Sequence, residues 1–126
     1  MQLKTIALPI ASGFVDLREG GPDQFLPAIK SFAASHGFQL KLDTEADDPR
    51  FYVFQLVRSD LILGGQNDYD SQMQTYIVTR YQFAFMPNYL KYPNLDPVEP
   101  LRPVVAGLLS DFQESVKSIG SVTIDR

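Results

Sequence analysis

A single histidine, His36, and no cysteine leave this 126-residue chain few side chains able to do chemistry near neutral pH. His36 falls just before Gly37, in the last turn of an expected helix, where a cation complements the helix dipole; that position explains it without catalysis. Ser12 precedes Gly13, but a nucleophilic serine needs a base held beside it, and no Gly-x-Ser-x-Gly turn occurs. Carboxylates gather at Asp43, Glu45, Asp47 and Asp48 and again at Asp68 and Asp70. Hard cations prefer such oxygen ligands, yet no calcium-loop series of alternating Asp or Asn closed by Glu is present, so these loops read as solubilising surface. Gly20-Gly21 ahead of a helix could offer amides to a phosphate, but no Walker lysine follows and Asp23 repels an anion. The expectation is a non-catalytic protein with no metal and no cofactor.

Fifteen acidic against 11 basic residues give a net charge of −4, a field that repels phosphate backbones and anionic headgroups. Neither nucleic acid nor membrane is expected as a partner. Arg80-Tyr81-Gln82-Phe83-Ala84-Phe85 resembles the aromatic strand of RNA-recognition domains in its alternating rings, but it lacks that strand's glycines. Lys4 and the stretch Thr5 to Gly13 faintly resemble a secretory signal; the apolar part is short and broken by Pro9, so Leu3 to Leu8 reads as a first strand. Without cysteines, cytoplasm and periplasm both remain open.

The elements that must position any site follow from periodicity. Asp23 reads as the N-cap of a helix whose stripe is Phe25, Leu26, Ile29, Phe32 and Ala33, stopped by Gly37. Phe38, Leu40 and Leu42 alternate as a strand, followed by a polar loop from Asp43 to Pro49. Phe51 to Val57 is an aromatic strand turned by Arg58-Ser59-Asp60 into Leu61-Ile62-Leu63, and Gly64 to Ser71 reads as a loop. Thr75 to Met86 is a long strand with Tyr81, Phe83 and Phe85 on one face and Arg80, Gln82 and Ala84 on the other. Five prolines between Pro87 and Pro103 read as a connection, with Tyr89, Tyr92 and Leu95 available to fold over the sheet. From Leu101 to Ile119 a strong helical stripe runs to Gly120, and Ser121 to Asp125 closes the chain as a strand.

This β-α-β-β-β-β-α-β order over a single domain, residues 1–126, predicts an α+β two-layer sandwich, ferredoxin-like, with a mostly antiparallel sheet covered by two helices. If both helices share one face, aromatic residues remain on the other, more apolar area than a soluble monomer usually leaves bare. The expected function is therefore a small interaction module of inhibitor, immunity or adaptor type, acting through an acidic loop and an aromatic sheet face. Its contact residues would be Tyr52, Phe54, Asp68, Tyr69, Asp70, Arg80 and Gln82, and its partner another protein, basic in character, or a second copy as a homodimer. The alternative is a small-ligand binder or minor enzyme with a pocket between the sheet and the Pro87 to Pro103 segment, lined by Arg80, Tyr81, Tyr89 and Tyr92.

Overall fold

The computed structural model describes residues 9–44, 50–89 and 98–125. Its elements run β1 (Ala11–Leu17), α1 (Pro22–His36), β2 (Gln39–Thr44), β3 (Tyr52–Val57), β4 (Leu61–Asp70), β5 (Thr75–Pro87), α2 (Val98–Val116) and β6 (Gly120–Ile124). All six strands form one antiparallel sheet in the order β2-β3-β4-β5-β1-β6, an α+β fold with two helices. That strand order differs from the four-stranded ferredoxin-like sheet, because β3 and β4 lie between β5 and β2.

Alternation decides which face is covered. Val15 stands opposite Tyr81, Leu63 opposite Phe85 and Leu56, and Phe54 opposite Gly65, so these residues share one face. The same face meets Phe25, Ile29 and Phe32 of α1 and Val105, Leu108, Phe112 and Val116 of α2 in one buried cluster. Rings carry much of the packing: Phe25 lies 4.5 Å from Tyr81, and Phe112 lies 5.5 Å from Phe32 and 5.2 Å from Phe83, in the tilted and edge-on geometries that aromatic pairs favour.

Several sequence expectations are corrected, and others fall outside the described residues. Leu3 to Leu8 lies outside the described residues, and the strand that enters the sheet is β1, which includes Ser12-Gly13. Helix α1 opens at Gly21 with no side-chain cap; Asp23 sits in its first turn instead, where it still favours the dipole. Helix α2 starts at Val98, ahead of Leu101; Pro100 falls in its first turn, where a missing amide hydrogen costs little, whereas Pro103 lies inside the helix and gives up one intrahelical bond. Ile119 follows the helix and is nonetheless buried. Strand β4 does not stop at Leu63 but continues through Gly64-Gly65 to Asp70. Leu95 and Tyr92 lie outside the described residues, and Tyr89 is exposed.

The β3–β4 turn is held by an arginine clamp. Arg58 donates from Nε and Nη2 to the two carboxylate oxygens of Asp60, at 2.7 and 3.1 Å, and from Nη1 to the carbonyl of His36 at 2.9 Å, tying the hairpin to the end of α1. The hydrogen bonds from Arg58 hold the Asp60 carboxyl below its ordinary pKa, against a smaller opposing effect of burial. A depressed folded pKa means that this contribution is complete above the unfolded carboxyl range, near about 4, and is lost as pH falls through the folded value. Asp60→Asn is expected to cost about 1 kcal/mol at pH 7, with the gap to wild type shrinking below about pH 4 in urea titrations. A constant gap across that range would show that the charge on Asp60 contributes nothing.

Candidate functional site

Strands β4 and β5 outrun their neighbours. The ladder with β3 ends at Val53 opposite Gln66, and the ladder with β1 ends at Asp16 opposite Arg80. Beyond those points the two strands pair only with each other, Tyr69 opposite Tyr76 and Asp70 opposite Thr75, as a two-stranded arm. Its base is irregular: Asn67 faces Tyr81 but Asp68 faces Ile77, which leaves Val78, Thr79 and Arg80 out of the ladder.

The buried Asn67 holds this crossing. Its side-chain oxygen accepts from the Tyr52 amide at 3.0 Å, and its amide donates to the carbonyls of Arg50 at 3.3 Å and Ile77 at 3.2 Å. The Tyr81 hydroxyl donates to the same Arg50 carbonyl at 2.9 Å. At the tip, Asp70 accepts from the amides of Gln72 and Met73 at 3.0 and 3.2 Å, and Gln74 completes the turn at φ 54°. Tyr69 and Tyr76 pack edge-on at 5.0 Å, yet they remain 47% and 53% exposed, and Met73 is 72% exposed. Large apolar groups on an arm that the other described residues leave uncovered can supply adaptable contact area to another molecule.

The sheet face away from the helices adjoins the arm. Ser12, Ala84 and Gly64 stand side by side across three strands, and their small side chains leave a hollow of about 380 Å³ bordered by Phe14, Gln55 and Gln82. Val53, next in the row beyond Gln66, is 41% exposed, whereas Ile62 at the far end of this face is buried. A second hollow of about 260 Å³, lined by Asp43, Val53 and Tyr76, lies between the sheet and the arm. Neutral amides and small groups of this kind suit contact and hydrogen bonding, with the carboxylates of Asp125 and Asp43 at the borders of the two hollows. Among the described residues, no cluster of three or more His, Cys, Asp or Glu could hold a metal ion.

The expected contact residues divide between two places. Asp68, Tyr69 and Asp70 are in the arm, and Arg80 and Gln82 are on the open face beside it. Tyr52 and Phe54 turn inward instead, 5% and 0% exposed, because odd positions of β3 face outward and even positions face the helices; Val53 and Gln55 take the outward places. Burial above all, with the Tyr81 phenol beside it, pushes the Tyr52 hydroxyl well above the ordinary tyrosine pKa, so it stays neutral. The acidic hook is also altered, since Asp70 caps the turn and Asp68 pairs with Arg80 at 3.6 Å. Of the four residues expected to line a ligand pocket, Arg80 and Tyr81 lie on opposite faces of β5 and Tyr89 follows that strand, while Tyr92 lies outside the described residues.

Periodicity and motif spacing give no site role to Asn67, Met73 or Tyr76. Tyr69 and Tyr76 flank the segment Asp70 to Thr75, a spacing compatible with a hairpin, and an Asp at the first position of a turn is a recognised signal. Nothing in the sequence marks Asn67 as buried. No helix among the described residues is long and apolar enough to cross a membrane. Compared with models of protein families and with curated protein sequences, the chain matches none.

Proposed function

We propose that this protein is a non-catalytic interaction module whose docking element is the β4–β5 arm together with the adjoining open sheet face. The observation that carries this reading is the exposure of Tyr69, Met73 and Tyr76 on an arm whose base and tip are both held by specific hydrogen bonds. A rigid aromatic surface loses little entropy on binding, which favours it as a contact element. Asp43 beside the arm and the net charge of −4 favour a basic protein partner. The scaffold itself reads as a ferredoxin-like plan widened by the β3–β4 hairpin, an analogy of architecture that carries no activity.

The test compares wild type with Tyr69→Ser/Met73→Ser/Tyr76→Ser. Because these side chains are exposed, the melting temperature should change little. Capture of partners from the native host should lose at least tenfold in recovery of a specific protein, a loss within the range of a small hot-spot cluster. A concentration series by light scattering separates self-association, in which the wild type alone would form dimers. Equal recovery of every partner and equal mass for both chains would remove the arm from the interface.

A further inference from the structure

We infer that Arg80 is the positioning residue of the arm, its guanidinium fixing the arm to the sheet in one orientation. An isolated two-stranded ribbon is marginal in water, and the residues that leave the ladder at 78–80 would let this one pivot at its base. Asn67 secures the backbone at the crossing but makes no contact farther out than Ile77. Arg80 spans the gap. Its guanidinium carbon lies 4.1 Å from the centre of the Phe14 ring, its Nε lies 3.2 Å from Asp16 of β1, and its Nη1 lies 3.6 Å from Asp68, the first arm residue beyond the irregularity. Nε is buried and out of line for a hydrogen bond to Asp16, so that contact is an ion pair.

The three contacts divide between two elements: Phe14 and Asp16 belong to β1, and Asp68 to the arm part of β4. Only a planar, delocalised cation can stack on a ring while its edges face two carboxylates, which a lysine ammonium cannot reproduce. Arg80 would thus act on docking through the arm, without itself having to touch the partner.

The inference extends the docking reading only in its consequence, that a held arm binds with less ordering cost. Its test needs no partner, so the two can fail separately. Hydrogen exchange followed by mass spectrometry is compared in the intact wild type, Arg80→Gln, Arg80→Lys and Asp68→Asn, alongside urea unfolding. In Arg80→Gln the amides of residues 68–77 should exchange about tenfold faster, the combined effect of one cation–π contact and two partly exposed ion pairs. Arg80→Lys should recover only part of that protection, and the urea midpoint and the exchange of β1 and β3 should stay at wild-type values. Asp68→Asn, which removes the arm-side contact alone, should repeat the local effect if Arg80→Gln proves too unstable to study. Unchanged exchange in the arm, or acceleration spread evenly through the sheet, would overturn the assignment.

Discussion

Replacing Asn67 with alanine is expected to lower the unfolding free energy by about 3 kcal/mol, measured by urea denaturation at pH 7. Asn67 is 3% exposed and serves three backbone groups. Alanine strands the Tyr52 amide in a buried position, and an unpaired buried donor costs about 1–3 kcal/mol. The carbonyls of Arg50 and Ile77 are only partly buried, and the first still accepts from the Tyr81 hydroxyl, so each adds less than a full penalty. Asn67→Asp separates acceptor from donor. Its carboxylate keeps the bond from Tyr52 but faces two carbonyls with no hydrogen to offer, so at pH 7 it should be worse than alanine. Such a carboxyl would have a folded pKa raised above its unfolded value, and its deficit should therefore shrink as pH falls toward 5 and a proton restores one donor. An alanine variant within about 0.5 kcal/mol of wild type would mean that water replaces the amide and that the arm is not anchored here.

The contrast with Arg80 separates two functions at the base of the arm. Asn67 belongs to the global fold, because it joins the start of β3 to both arm strands. Arg80 sits on the open face with a side chain 39% exposed, where ion pairs are worth little to overall stability but can still select one orientation of a weakly held element. Stability and arm order are therefore expected to vary independently.

The sequence reveals periodic features better than local exceptions. The stripes of both helices and the inward set Tyr81, Phe83 and Phe85 follow from spacing alone, and most of them are buried, with Leu26 and Leu109 only partly so and Val104 exposed at the edge of the α2 stripe. Strand β3 shows where the pattern is silent. Tyr52, Val53, Phe54 and Gln55 offer no clean alternation, so the choice of inner face depends on register with β4, which is a long-range property. The diglycine Gly64-Gly65 resembles a loop because glycine usually ends a strand, yet here pairing with β3 on one side and β5 on the other overrides that tendency. A buried asparagine and an arginine over a ring carry no sequence signature, because their partners lie 10 to 66 residues away in the chain. Most of the fold was legible for this reason, whereas the arm that forms the candidate site was only partly so.

That diglycine supplies the second large effect. Gly65→Ala is expected to destabilise the protein by about 3 kcal/mol, at the upper end of core overpacking, while its neighbour Gly64→Ala should be neutral or stabilising by about 0.5 kcal/mol. A Cβ at Gly65 would stand 2.4 and 2.5 Å from two carbons of the Phe54 ring and 2.9 Å from the Gln82 carbonyl oxygen. The fully buried ring cannot easily swing aside, because Phe25 lies 6.1 Å from it on the helix side and Tyr52 lies 6.5 Å away along the strand. On the opposite face, a Cβ at Gly64 would meet only Met86 Cε at 3.8 Å and the Phe54 carbonyl oxygen at 3.9 Å, both ordinary contacts. Shortening the ring should identify the clash. Phe54→Leu alone leaves a cavity, but in the Gly65→Ala background it also opens room for the methyl group, so the double variant should be more stable than the sum of the two losses. Strict additivity in urea would place the cost of Gly65→Ala in the backbone against Gln82 rather than in the ring. Gly64→Val then tests the other face: it fills the floor of the 380 Å³ hollow without touching the core, so a loss of partner capture at unchanged stability would add that hollow to the docking surface.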